Sequence, residues 1–226
     1  MFKARITMPA LLLALLVVTA PAQDTAPAAS SQPGEQRKTS EPYKGDLSIF
    51  DTAGREERLQ INRVMDLLGV APGKTVADIG AGSGWFTVRA ARRVGTAGVV
   101  FAVDINPEAI KHISERARKE QLQNVKTILS KADDPLLPAN SVDAVLLLKT
   151  YHEVAQPEAL LQKLRTALRP GSKVGVIDRN GNGEDHGVSR EVVIREAKDA
   201  GYKLAQQFDF VKGDNMDYFL IFEARE

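Results

Sequence analysis

From Arg55 onward the chain alternates between two hydrophobic rhythms. In REERLQINRVMDLLGV (55–70), Leu59, Ile61, Val64, Met65, Leu67 and Leu68 recur close to the helical period, and Gly69 with the following Ala-Pro-Gly ends that helix. Short apolar runs rich in β-branched residues then read as strands at 75–80, 98–104, 125–131, 142–149, 173–178, 203–211 and 217–224. Amphipathic stretches between them read as helices. One runs from Trp85 to Val94 and stops at Gly95, and a second runs to Gln121 behind an Asn106 cap with Pro107 at its first turn. A third covers 157–168 and ends in Arg-Pro-Gly, and a fourth runs from a Ser189 cap to Ala200. Buried strands separated by helices predict an α/β, Rossmann-like, doubly wound sheet of seven mostly parallel strands. The last two strands are joined only by the turn KGDN (212–215), so they should pair as a hairpin with one C-terminal strand antiparallel to the rest.

The first 42 residues break this rhythm. Lys3 and Arg5, an apolar stretch from Ala10 to Val18, and Ala20-Pro21-Ala22 form the three parts of a secretory signal peptide over 1–22. The apolar stretch is short for a membrane span, so no stable membrane insertion is expected after cleavage, with an uncleaved anchor as the alternative. Residues 23–42 are rich in Pro, Ala, Ser, Gln and Thr and read as a disordered linker, leaving 43–226 as the folded domain. An exported protein, periplasmic or secreted, is therefore expected. The formal charge of +1 gives no reason to expect nucleic acid as a partner. The chain has no cysteine, which excludes a lipoprotein anchor, disulfides, zinc–thiolate sites and a thiol nucleophile.

The stretch VADIGAGSGWFT (76–87) is a strand, a glycine turn and a helix start, the arrangement that holds nucleotides. A dinucleotide fingerprint needs a third glycine where Trp85 stands, and Asp78 just before the turn is unfavourable beside a pyrophosphate. A carboxylate there suits a cationic ligand instead. Asp104, ending the second strand, can accept both hydroxyls of a ribose. In these residues the chain resembles the class I S-adenosylmethionine-dependent methyltransferases, and within them the small quinone-biosynthesis-like, type 11 domains. VFAVDINPEAI, LLPANSVDAVLLLKTYHEV and LRPGSKVGVID match the family's later motifs in order and spacing, with Ser172 in place of a second glycine. The resemblance implies the seven-stranded fold and S-adenosyl-L-methionine as cofactor. It implies that Asp78 neighbours the amino-acid end of the cofactor and that Gly80, Ala81 and Gly82 lay backbone against it. Asp104 would bind the ribose, Ile105 would flank the adenine, and Asp133 or its neighbour Asp134 would meet the adenine amino group, with Asp133 preferred.

The loop after the fourth strand, KTYHEVAQP (149–157), faces the transferred methyl group in that family. His152 is the candidate proton acceptor, since imidazole titrates near neutrality, and Tyr151 the candidate to orient substrate or touch the sulfonium. In the loop after the fifth strand, His186 and Asp185 are weaker candidates for substrate contact. No recognised ligand spacing supports a metal site. The expected activity is methyl transfer to a small-molecule substrate. The alternatives are an exported cofactor-binding protein without activity and, opposed by Trp85, Asp78 and the lack of any Tyr-x-x-x-Lys pair, an NAD(P)-dependent reductase. Arsenic methylation is disfavoured by the absence of cysteine.

Overall fold

The computed structural model of the chain describes residues 1–2, 37, 39, 43, 45–182 and 186–225. The expected signal peptide and most of the expected linker lie outside the described residues, as does Asp185. Backbone contacts divide the chain into a unit of 1–32 and a unit of 33–226. Only Met1 and Phe2 of the first are described, and every element named below belongs to the second.

Among the described residues seven strands form one sheet: β1 (Thr75–Ile79), β2 (Val99–Asp104), β3 (Val125–Leu129), β4 (Val142–Leu148), β5 (Leu168–Asp178), β6 (Tyr202–Phe208) and β7 (Tyr218–Ala224). Their order is β3-β2-β1-β4-β5-β7-β6. All pairs from β3 through β5 are parallel, and β7 runs antiparallel to both β5 and β6. This is the doubly wound sheet with a reversed C-terminal strand that the hydrophobic pattern predicts. The chain order reverses between β1 and β4, and the carboxyl ends of those two strands form the crevice where ligands of such sheets bind.

Six α-helices of the described residues accompany the strands: α1 (Arg55–Leu59), α2 (Ile61–Leu68), α3 (Trp85–Val94), α4 (Pro107–Lys119), α5 (Pro157–Ala167) and α6 (Arg190–Asp199). The two-residue period of β4 distributes its side chains between two cores. Val145 and Leu147 pack with Leu160, Leu161 and Leu164 of α5 and Val193 of α6. Ala144 and Leu146 pack with α2 and α3 through Met65, Leu68 and Phe86. In β1, Val76 belongs to the second core and Ala77 and Ile79 to the first. Asp78 therefore faces α3. Among the described residues no helix is long and apolar enough to cross a membrane.

Three departures from the pattern have local causes. The single helix expected over 55–70 is two, broken at Gln60, whose φ of 52° is left-handed. Leu59 and Ile61 are both buried, and on an unbroken helix residues two apart point about 200° from each other. The break lets both reach the core. Strand β5 begins at Leu168, because Leu168 pairs with Val142 before a register shift in β4 admits the longer run. The β6–β7 connection is more than a tight turn. It holds a 3-10 turn, Phe210–Asp214, whose Asp214 is ion-paired to Arg55 and Arg58.

Candidate active site

The glycine turn is shaped by two requirements that side chains fail. Gly80 and Gly82 both have left-handed φ, 69° and 53°. A Cβ on Gly80 would also come within 2.3 Å of the Thr150 side chain, so only glycine lets that side chain lie directly against the β1 turn. The Gly80 and Ala81 N–H groups donate to the Val103 carbonyl at 2.8 and 3.1 Å, tying the turn to β2. Asp104 at the end of β2 completes the tie. One carboxylate oxygen accepts the Gly82 N–H at 2.8 Å and the other accepts the Asn106 N–H at 2.9 Å. Burial raises the Asp104 pKa, against the lowering effect of the Asn106, Gly82 and Ile105 N–H groups. The carboxylate keeps acceptor capacity for a ligand hydroxyl.

Asp78 is buried beneath the turn, at 2% exposure, and accepts the Thr87 hydroxyl at 2.6 Å. Burial pushes its pKa up to about 7, Thr87 lowers it, and the charge of Asp104 raises it further. The carboxyl group lies under the crevice floor, where burial works against its ionisation. Thr87 is a partner that no motif in the sequence marks. Trp85 causes no strain at the helix start, because it turns into the second core. There the guanidinium carbons of Arg89 and Arg55 lie 3.9 and 4.6 Å from its ring centroid.

The segment before α1 closes over this turn. The Phe50 ring is the nearest side chain to the open face of Gly82, 3.8 Å from where a Cβ would stand. Asp51 accepts the Ser83 hydroxyl at 2.7 Å and a guanidinium N–H of Arg116 at 2.7 Å. The Asn106 amide donates to the Tyr43 carbonyl at 2.9 Å, and the Tyr43 and Phe50 rings meet edge to face. Ile105 is exposed beside Asp104. In the loop after β3, the Asp134 carboxylate accepts the Leu136 N–H at 2.9 Å and serves the loop itself. Asp133 is partly exposed and its carboxylate has no such duty among the described residues.

The β4 loop corrects one sequence expectation and reshapes another. Tyr151 does not face substrate. It is wholly buried in the first core, its hydroxyl donates to Glu196 of α6 at 3.0 Å, and burial pushes its pKa well above the ordinary phenol value. His152 is also buried and has a carboxylate at each ring nitrogen. Nδ1 lies 2.8 and 3.0 Å from the two oxygens of Asp178, and Nε2 lies 3.2 Å from Glu153 Oε1. It is a held residue rather than the open base expected. Asp178 went unmarked in the sequence, although it carries the signal that marked Asp104, an acid as the last residue of an apolar strand. Arg37, inside the stretch expected as linker, is bound to the domain. Its guanidinium donates to the Tyr151 carbonyl at 2.9 Å and to both Glu196 oxygens at 2.6 and 2.5 Å.

A doubly wound sheet with a glycine turn at its switch point and a hydrogen-bonded acid on the adjoining strand defines a nucleotide-type cofactor fold. The chain belongs to the methyltransferase domain family, whose model matches residues 71–215, well over half of its length. It is 30% identical over 129 residues to a nocamycin O-methyltransferase of Saccharothrix syringae, covering 57% of this chain and 46% of that protein. It is 30% identical over 122 residues to a ubiquinone/menaquinone biosynthesis C-methyltransferase of Citrobacter koseri, covering 54% of this chain and 49% of that one. The chain thus spans about half the length of the curated relatives it matches. The crystal structure of a SAM dependent methyltransferase from Aquifex aeolicus is similar at TM-score 0.71 and 25% identity, covering 79% of this chain and 98% of that one. The fold alone is shared with the [4+2]-cyclase SpnF, at TM-score 0.63 and 16% identity.

Proposed function

We propose that the protein is an S-adenosyl-L-methionine-dependent methyltransferase acting on a small-molecule acceptor. The observation that carries this reading is the Asp104 carboxylate, which the Gly82 and Asn106 N–H groups hold against the glycine turn while it keeps acceptor capacity for a ribose hydroxyl. The rest of the crevice fits the same group. Gly80, Ala81 and Gly82 offer backbone without bulk, Ile105 offers exposed apolar surface to a base, and Asp133 offers a carboxylate to an adenine amino group. Asp78 lies beneath, where the cationic end of the cofactor would favour its ionised form. The names of the relatives support the same chemistry.

The cofactor supplies a methyl group already activated on a sulfonium. The chain's task is then alignment and exclusion of water, which account for much of such a rate. Phe50 and Asp51 over the turn and Thr150 against Gly80 shape that enclosure. The test is calorimetric titration of the purified protein with S-adenosylmethionine and, separately, with NAD. Binding of the first and not the second is expected, with Asp104→Ala weakening it by at least ~100-fold, the loss of two charge-assisted hydrogen bonds. Absence of S-adenosylmethionine binding refutes the reading.

The N-terminal pattern supports an exported mature chain beginning at Gln23. Cell fractionation with N-terminal sequencing tests this, and an intact Met1 terminus on cytoplasmic protein would overturn it.

A further inference from the structure

Beyond the crevice, the loops after β4 and β5 gather three side chains that methyl transfer, as proposed above, does not use. One ligand atom each from His152, Glu153 and His186 lies within 4.8 Å of the other two. Glu153 Oε1 is the hub, 3.2 Å from His152 Nε2 and 3.4 Å from His186 Nδ1. We propose that this cluster is a binding site for one divalent first-row transition-metal ion of the zinc type.

The far side of the His152 ring meets a carboxylate. Asp178, wholly buried, accepts the His152 backbone N–H at 3.1 Å and the Arg179 N–H at 2.9 Å while facing Nδ1 with both oxygens. Those oxygens can accept a proton carried on Nδ1, and in that tautomer Nε2 presents the lone pair a metal ion takes. Nε2 lies 3.2 Å from a carboxylate oxygen of Glu153. His186 Nδ1, a donor or an acceptor according to its tautomer, lies 3.4 Å from the same oxygen. Three atoms able to give an electron pair, each within 4.8 Å of the others, can share one metal ion.

Spacing and chemistry agree with this. Metal–ligand bonds of about 2.1 Å in a tetrahedron set its ligand atoms roughly 3.4 Å apart. The two separations from Glu153 match that edge, and the third ligand pair lies within 4.8 Å. Two imidazoles and one carboxylate suit zinc or iron(II), whereas calcium and magnesium prefer oxygen ligands throughout. A carboxylate behind a ligating histidine is the usual outer support of such sites, and Asp178 stands in that position. The exposure gradient, 3% for the His152 side chain, 33% for Glu153 and 64% for His186, places the ion between the protein and solvent with a coordination position open. An oxygen bound there would become more acidic.

Metal binding is measured with no cofactor present, so its failure is distinct from a failure of methyl transfer. The full chain, purified without a polyhistidine tag and stripped by chelator, is titrated with Zn2+ by calorimetry and with Co2+ by visible absorption. One equivalent of Zn2+ should bind at micromolar affinity or tighter, with Co2+ giving the intense bands of low coordination. His186→Ala, at an exposed position, should leave the thermal midpoint of the metal-free protein unchanged and weaken binding by ~100-fold or more. Asp178→Asn should weaken it by ~10- to 100-fold. Should Asp178→Asn fail to fold, Glu153→Gln provides the second measurement, with the same loss expected. The chain has three histidines, and His112→Ala should bind as the parent does. No stoichiometric binding, or equal binding by His186→Ala and the parent, overturns the site and leaves a hydrogen-bonded chain from His152 through Glu153 to His186.

Discussion

Asp78 and Asp104 lie near the carboxyl ends of neighbouring parallel strands, yet their surroundings assign them different work. Asp104 is met by backbone N–H groups and stays available to a ligand, whereas Asp78 is sealed under the turn with Thr87 as its chief partner. The pKa of about 7 for Asp78, raised by burial from the ordinary 3.8, has a definite consequence for stability. Below pH ~4 the group is protonated in both folded and unfolded chains and contributes nothing. Between pH ~4 and ~7 the unfolded chain ionises first, so stability falls as pH rises, and above ~7 the penalty is constant. Its size is on the order of a few kcal/mol. Asp78→Asn should therefore flatten the decline between pH 5 and 8, measured as the difference in urea midpoint at the two values. A cation bound above the turn would draw the proton off, so S-adenosylmethionine should bind more tightly as pH rises through 7.

At the scale of elements, the site is built by strand ends and held by helix starts. Asn106 shows the coupling. Its side-chain oxygen caps α4 by accepting the Glu108 N–H at 2.9 Å, and its amide holds the Tyr43 carbonyl of the covering segment. Its backbone N–H meanwhile holds Asp104. Asn106→Ala should cost about 1 kcal/mol from the lost cap, read by denaturant unfolding. The same variant keeps the backbone contact to Asp104 and should bind cofactor with only a modest loss, since Tyr43 alone is released. The α1–α2 break belongs to this scale as well. Left-handed Gln60 is the cost of burying two hydrophobic residues that helical geometry sets on different sides.

For the molecule as a whole, the contact that most extends the domain is Arg37 on Glu196. The two side chains are 14% and 7% exposed, the Tyr151 hydroxyl shares the same carboxylate, and the Arg37 N–H donates to the Ala155 carbonyl at 2.8 Å. Arg37 thereby anchors the 3-10 turn Tyr151–Glu153, which carries His152. Removing one partner of a buried pair strands the other. Arg37→Ala should cost roughly 2–3 kcal/mol, less than a fully buried pair because Arg37 is partly exposed, and lower the thermal midpoint by about 5–10 °C. Adding Glu196→Gln should recover part of the loss, because it removes the stranded charge.

The sheet, its reversed last strand, the glycine turn and the acid at the end of β2 were all legible in the sequence. Each is written in local period, in turn chemistry or in a short motif, so neighbouring residues suffice to specify it. The remaining features exist only through tertiary packing. Tyr151 and His152 adjoin in sequence within one loop, and packing sends the phenol to α6 and the imidazole to Asp178. Arg37 lies in a stretch whose composition gives no core, and its ion-pair partner is 159 residues away. His186 and Glu153 are 33 residues apart and meet because β4 and β5 are neighbours in the sheet. Contacts of that kind depend on where strand ends come together in space, and no window of sequence contains both partners.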